Sequence, residues 1–245
     1  MASEETGLPA GTPVAAGTID AWSEGASVGV QSPGDLMLTY GTTMFIIEVL
    51  ESALHHIGLW GTTGILPSTH NLAAGMATSG APTGWLQKIS GGVPYAHLTE
   101  EAADVPPGSD AWVVLPYFAG DRAPPFDPQA RGGISGLTMS DTRGHLYRAM
   151  LEATAYGVRH IFEYMREVGG GGERLAAVGG GTKGGLWTQI VSDVTGRRRD
   201  LPERTIGAAY GDALRRRPAC RPRQRPRRTR LESHSGHRRA GRGEP

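Results

Sequence analysis

A run of glycines between a predicted strand and a predicted helix has the form of a phosphate-binding turn. Residues 179–185 read GGGTKGG, follow a short apolar strand at 175–178 and precede a helix that begins at Leu186. Such a turn presents backbone N–H groups and the N-terminus of a helix to an anion. The spacing differs from the G-x-x-x-x-G-K-[ST] of a P-loop, and a tight turn without a ligand is the alternative.

A second polar turn could also donate to phosphate oxygens. Tyr40-Gly41-Thr42-Thr43 joins two apolar segments within residues 35–48, which is the pattern of a hairpin. Glycine allows a ligand to approach the backbone closely, and threonine adds a hydroxyl donor to the amide donors. The alternative is a polar hairpin tip with no ligand.

The most distinctive segment covers residues 115–152, LPYFAGDRAPPFDPQARGGISGLTMSDTRGHLYRAMLE. It begins as a Pro- and Gly-rich loop with charges at Asp121, Arg122, Asp127 and Arg131, and then enters an amphipathic helix. Long charged loops of this kind are usually functional. Asp121 and Arg122 either fix the loop through ion pairing or face a ligand, and we favour ion pairing.

The order of residue types in this segment resembles the FGGY carbohydrate kinases, which transfer the γ-phosphate of ATP to a sugar or polyol hydroxyl. The similarity lies in the loop's Gly, acidic residue, Arg, small residue and Pro, in a later Ala-Arg-Gly, and in the series from Gly132 through His145 to Glu152. The resemblance covers about residues 6–214. It implies an ATP-dependent sugar kinase whose substrate is a ketopentose such as xylulose.

The resemblance also implies a role for each candidate site residue. Asp20, in AAGTIDAWSEGASVG, resembles the family's general base, which accepts the proton of the attacking sugar hydroxyl; an N-cap is its other interpretation. The turn Gly41, Thr42 and Thr43 resembles the Gly-Thr-Ser turn that holds the β- and γ-phosphates. In the family, a glycine-rich stretch before a Trp contacts the adenosine part of ATP. Gly180, Gly181 and Thr182, which precede Trp187, resemble this stretch, and Lys183 is a further candidate. The implied cofactors are ATP and Mg²⁺, the ion being bound through ATP and an N-terminal domain.

Alternating strands and helices must position these residues, and this alternation favours an α/β fold. The resemblance implies an incomplete nucleotide-binding domain of the actin/hexokinase type, which is ribonuclease H-like. In the longest predicted helix, Arg148–Glu152 and Arg159–Glu163 are i,i+4 pairs, each expected to add only tenths of a kcal/mol. We predict helices over 19–30, 80–89, 145–168 and 186–194, strands over 12–17 and 175–178, a hairpin over 35–48, strand and turn character over 61–74, and a buried strand over 112–117.

Composition narrows the class of protein. The single cysteine, Cys220, excludes a disulfide framework and a cysteine-based metal site, and it fits a cytoplasmic setting. No apolar run approaches the roughly 20 residues that span a membrane, and the N-terminus lacks the pattern of a secretory signal. We therefore expect a cytoplasmic protein with no membrane partner and no metal site of its own.

The formal charge of +1 conceals a basic tail on an acidic body. Residues 215–245 hold 12 Arg and 2 Glu, whereas residues 1–214 hold 13 basic and 22 acidic residues. The tail contains too little apolar sequence to fold alone. An Arg-rich segment can bind nucleic acid, but we favour out-of-frame translation of a GC-rich gene, because the helix begun by TIGAAYGDAL has no continuation. A degraded, non-enzymatic gene product and an Arg-tailed nucleic-acid binder are thus the alternative functions.

The family's second domain accounts for most of the chain. We assign residues 1–11 to the remnant of an interdomain linker, 12–214 to the C-terminal, ATP-binding domain of the kinase, and 215–245 to a disordered tail. The phosphate turn Asp-x-Gly-Thr of the family's first domain does not occur in the sequence. We therefore expect a kinase truncated at both ends that is inactive alone, with an N-terminal kinase half acting in trans as its partner and homo-oligomerisation left open.

Overall fold

The protein is described here by a computed structural model that covers residues 2–12, 18–122, 126–203, 205, 207–215 and 228–231. The strand predicted over 12–17 lies almost wholly outside these residues. Short 3-10 helices occur at Ser109–Ala111 and Gly180–Gly184. The other elements, in chain order, are α1 (Ala2–Thr6), α2 (Asp20–Ser27), β1 (Asp35–Tyr40), β2 (Met44–Leu50), β3 (Trp60–Thr63), β4 (His70–Met76), α3 (Ala81–Ile89), α4 (Tyr95–Ala103), β5 (Val113–Leu115), β6 (Gly133–Ser135), α5 (Arg143–Glu167), β7 (Arg174–Val178), α6 (Leu186–Thr195), β8 (Arg199–Pro202), α7 (Ala208–Arg215) and β9 (Arg228–Leu231).

The main sheet of the described residues has the strand order β3-β4-β2-β1-β7-β8-β9. Its centre is parallel, with β1 beside β7 and β7 beside β8, and its flanks are antiparallel. β5 and β6 form a separate antiparallel ribbon. The parallel centre matters for function because carboxyl ends of parallel strands share one edge of a sheet, where α/β proteins bind ligands.

Helices cover both faces of the sheet, as the alternation of side chains along β1 requires. Leu36, Leu38 and Tyr40 point into a large core formed with α5, α6 and α4. Met37 points to the opposite face and packs with Trp22 of α2. On that second face α7 lies against α2, and the Ser23 hydroxyl donates to Asp212 Oδ1 at 2.6 Å.

Local patterns predicted most elements correctly, but the buried strand over 112–117 is wrong in extent and in burial. β5 covers only Val113–Leu115, and Val113 and Leu115 are 58% and 49% exposed. Only Val114 faces the core, because the β5–β6 ribbon has a packing partner on one face alone. Helix α4 and strand β8 were not anticipated.

The Arg148–Glu152 pair is buried, an environment to which the energy of an exposed i,i+4 pair does not apply. Arg148 Nε donates to Glu152 Oε1 at 2.8 Å, and both side chains are less than a tenth exposed. The Gly108 N–H and the Ser109 hydroxyl also donate to the Glu152 carboxylate. A buried, fully hydrogen-bonded pair is far more sensitive to loss of one partner than a surface pair.

The basic tail contributes β9 to the sheet. Arg228–Leu231 pairs antiparallel with β8, Leu231 lying opposite Arg199. A strand that pairs with the edge of a sheet needs no hydrophobic core of its own. The pairing of β9 therefore does not test whether the tail arose by out-of-frame translation, which stays a prediction.

Within the described residues, no helix combines the length and apolarity needed to cross a membrane.

Candidate active site

The two predicted phosphate-binding segments leave the sheet side by side. β1 and β7 are parallel neighbours, and Thr39 lies opposite Val178 near their carboxyl ends. The turn 41–43 follows β1 directly, and the glycine loop 179–185 follows β7 directly. Segments separated by about 140 residues in sequence thus meet at one edge of the sheet.

The glycine loop is pressed against the last residue of β1. Gly179 has φ of +97°, and a Cβ there would collide with the backbone of Tyr40. At Gly181 a Cβ would lie 2.6 Å from the Trp187 ring and 3.0 Å from Tyr40 Cβ. Residues larger than glycine would therefore push the loop away from β1.

Trp187 packs against the core side of the glycine loop and holds it in place. Its side chain is buried, its ring meets Tyr40 edge-on at 5.2 Å, and its Nε1–H donates to Thr154 Oγ1 at 2.8 Å. Thr182 closes the turn by donating from its hydroxyl to the Gly179 carbonyl. Gly180 and Lys183 are exposed above this base, so the loop presents backbone and one cation to solvent.

The turn 41–43 directs its carbonyl oxygens inward and its hydroxyls outward. The Gly80 N–H donates to the Gly41 carbonyl, and the N–H groups of Ser79 and Ala81 donate to the Thr42 carbonyl. Thr42 and Thr43 are exposed, and neither hydroxyl is hydrogen-bonded within the part of the chain that the structure describes. These two hydroxyls are therefore available to an anion.

Asp20 is the first residue of α2 rather than its N-cap, so the N-cap interpretation is wrong. Ile19 occupies the cap position and its carbonyl accepts from Trp22 and Ser23. The Asp20 side chain is exposed, and its Oδ1 accepts only the adjacent Ala21 N–H among the hydrogen bonds of the described residues.

Helix α2 packs on the second face of the sheet, across β1, β2 and β3. A Cβ on Gly25 would lie 3.8 Å from Met37 Sδ, in the middle of β1. One turn earlier, the Trp22 ring packs on Phe45 of β2, and its Nε1–H donates to Thr62 Oγ1 of β3 at 3.2 Å. Asp20 lies a further half-turn toward the start of this helix.

Glu24, which sequence reasoning did not single out, lies one turn after Asp20 on the same side of α2. It is half-buried, and this burial, together with the negative charge of Asp20, raises the pKa of Glu24. The sequence signal that could have identified Glu24 is its i,i+4 spacing from Asp20 at the start of the helix.

The described residues contain no group of three His, Cys, Asp or Glu side chains that could hold a metal ion.

Known carbohydrate kinases match this chain in sequence. Residues 36–216 match the FGGY family of carbohydrate kinases, C-terminal domain. The chain is 31% identical over 227 residues to a ribulokinase of Bacillus licheniformis, covering 86% of this chain and 41% of the ribulokinase. A gluconokinase of Bacillus subtilis is 37% identical over 122 residues, which cover 49% of this chain and 24% of that protein.

A sugar kinase of known structure has the same fold as this chain. The crystal structure of a xylulose kinase from Rhodospirillum rubrum superposes with a TM-score of 0.80 at 35% identity, covering 87% of this chain and 44% of the xylulose kinase. The actin/hexokinase-like α/β fold expected from the sequence is thereby confirmed. The chain spans about two-fifths of the length of the curated ribulokinases that it matches.

Proposed function

The chain belongs to the FGGY family of carbohydrate kinases, and from this premise we propose that it is the ATP-binding half of a sugar kinase. The observation that carries the proposal is the meeting of two donor-rich segments, 41–43 and 179–185, at the carboxyl ends of β1 and β7. A nucleotide lying along this edge would contact both segments at once.

The two segments suit different parts of ATP. Exposed hydroxyls and amides of Thr42 and Thr43 would donate to the β- and γ-phosphate oxygens, and Lys183 would add charge nearby. The glycine loop at 180–182 has little side chain above its backbone, which suits close contact with the nucleoside. Mg²⁺ would arrive bound to the phosphates and neutralise charge there.

Asp20 is proposed as the general base for the sugar hydroxyl. It is exposed in the first turn of α2, a helix that packs on the sheet whose edge carries the two phosphate-binding segments, and phosphoryl transfer needs a carboxylate near the attacking hydroxyl. Glu24 beside it takes up a proton at higher pH than an exposed glutamate. In an enzyme completed by an N-terminal half, Asp20→Asn should abolish turnover and leave ATP affinity unchanged; retained turnover would exclude this role.

The acceptor is proposed to be a ketopentose such as xylulose, in a cytoplasmic setting that the single cysteine supports. The matched kinases act on several sugars and polyols according to their names, ribulokinase, xylulose kinase, gluconokinase and glycerol kinase among them. Phosphoryl transfer depends on positioning between two halves of a cleft. The chain alone should therefore bind ATP weakly and phosphorylate no sugar, and an N-terminal kinase half in trans is its proposed partner.

Titration calorimetry of the purified chain with MgATP tests the nucleotide site. We expect saturable binding that weakens about tenfold in Thr42→Ala or Thr43→Ala, the loss typical of one hydrogen bond to a charged group. Stability should not change, because both hydroxyls are exposed. Equal affinity in all three proteins would contradict the site. So would binding that disappears between about 50 and 200 mM salt, the signature of charge attraction to the Arg-rich tail.

A further inference from the structure

The loop that follows β5 is tied to the phosphate turn 41–43 through residues 77–80, named here the bridge segment. The bridge segment follows β4, whose last residue, Met76, pairs with Met44 at the start of β2. It therefore leaves the sheet next to the turn 41–43. It continues directly into α3.

One side of the bridge segment holds the turn. The N–H groups of Ser79 and Gly80 donate to the carbonyls of Thr42 and Gly41, at 3.1 and 2.9 Å. Gly80 lies so close that a Cβ there would be 2.6 Å from the Gly41 oxygen. Ser79 is buried, so the position of the turn follows that of the bridge segment.

The other side of the bridge segment is held by the loop. The Ala77 N–H donates to Asp121 Oδ1 at 3.2 Å, and the Thr78 hydroxyl donates to the Pro116 carbonyl. Thr78 and Asp121 are 4% and 6% exposed. The Arg122 N–H also donates to Asp121 Oδ1, so backbone donors hold this carboxylate, and the ion pairing that we favoured for this loop from the sequence stays a prediction.

The loop itself is closed upon its own backbone. The Asp121 N–H donates to the Asp127 carbonyl at 2.9 Å, and Gly120, with φ of +73°, lies against the backbone of Pro128. Gly120 and Asp121 are buried, and packed interiors deform little, so this end of the loop is held in place.

We propose that Asp121 and Thr78 are positioning residues for the phosphate turn. Both are buried and act through the bridge segment, so that the loop sets the direction of the Thr42 and Thr43 donors. The expected effect on MgATP affinity rests on the proposed function. The claim that the loop holds the turn 41–43 in place does not depend on it.

Hydrogen–deuterium exchange of the full chain without nucleotide tests the structural part. In Asp121→Ala, the hydrogen-bonded amides of Gly41, Ala77 and residues 79–81 should exchange about tenfold faster or more, as expected for loss of a hydrogen bond to a carboxylate. Amides of α5 and β7 should keep their protection. Thr78→Val, which removes only the hydroxyl, should act in the same direction, whereas Asp121→Asn, which keeps an acceptor oxygen, should restore most of the protection.

Asp127→Ala is the matched control, since its carboxylate lies in the same loop but accepts only from Gln129 among the described hydrogen bonds. MgATP affinity should fall severalfold in Asp121→Ala and Thr78→Val and stay unchanged in Asp127→Ala. Unchanged exchange of the Gly41 amide and of the amides of residues 79–81, which hold the turn, in both positioning variants would overturn the inference even if the wild-type chain binds MgATP. Absence of MgATP binding by the wild-type chain would instead refute the proposed function and leave the exchange result to decide the inference.

Discussion

Two Arg–Glu pairs on helix α5 have identical spacing and opposite environments, which makes them a test of how burial sets the energy of an ion pair. Side chains of Arg148 and Glu152 are 9% and 6% exposed, whereas those of Arg159 and Glu163 are 59% and 42% exposed. We predict that Glu152→Gln lowers the free energy of unfolding by about 3 kcal/mol or more. Glu163→Gln should lower it by less than about 0.5 kcal/mol.

The magnitude for Glu152→Gln comes from the partners that its carboxylate satisfies. Arg148 Nε donates at 2.8 Å, the Gly108 N–H at 3.0 Å and the Ser109 hydroxyl at 3.1 Å. A neutral amide leaves the buried guanidinium of Arg148 without its countercharge. It also weakens the hold on residues 109–111, three consecutive non-glycine residues with left-handed φ of 47°, 51° and 71°. Such conformations persist only where their surroundings fix them.

Urea unfolding followed by circular dichroism measures both variants, with the slope m checked for constancy. The double variant Arg148→Met/Glu152→Gln should be less destabilised than Glu152→Gln alone, since it removes the stranded charge. Losses that are equal and small for Glu152→Gln and Glu163→Gln would refute the argument from burial.

Two further predictions concern Arg199 and the glycine loop. Arg199 in β8 is 1% exposed, and its guanidinium has no hydrogen-bond partner among the described residues. Burial lowers the pKa of Arg199 to about 9. Because the buried charge is unfavourable, Arg199→Met should raise the free energy of unfolding by up to about 5 kcal/mol in urea unfolding at pH 7. The gain should shrink as pH rises through 9, because the folded wild type then releases a proton that the unfolded chain keeps, and a pH-independent or negative effect would contradict this account. Gly179 has φ of +97° and lies against Tyr40, so Gly179→Ala should lower the free energy of unfolding by about 1–3 kcal/mol. Gly180 has open space around an added methyl group, so Gly180→Ala should change the melting temperature little. Equal effects of the two substitutions would show that the glycine loop is not packed against β1.

Sequence patterns predicted the local parts of the site but not how they are joined. The hairpin around Gly41 and the strand–glycine–helix at 175–194 were readable because turn residues and apolar runs are local signals. The parallel pairing of β1 with β7 is a contact between distant segments, and no local pattern specifies it. The bridge segment was missed for the same reason, since its role depends on backbone donors of Ser79 and Gly80 that any residue type carries.

Burial was the other property that spacing could not supply. The apolar run from Trp112 to Tyr117 predicted a buried strand, yet Val113 and Leu115 face away from the core. The two Arg–Glu pairs of α5 look alike in sequence, but α4 and residues 108–109 pack against the first half of α5. Arg148 Nη1 donates to the Ala102 carbonyl at the end of α4, and Gly108 and Ser109 donate to the Glu152 carboxylate.

The position of bound nucleotide tests the central claim most directly. Hydrogen–deuterium exchange of the full chain with and without saturating MgATP should show new protection in two segments together, residues 41–43 and 179–184, which only the pairing of β1 with β7 brings side by side. Protection confined to the Arg-rich residues 215–245, or present in one of the two segments without the other, would contradict a nucleotide site at this edge of the sheet.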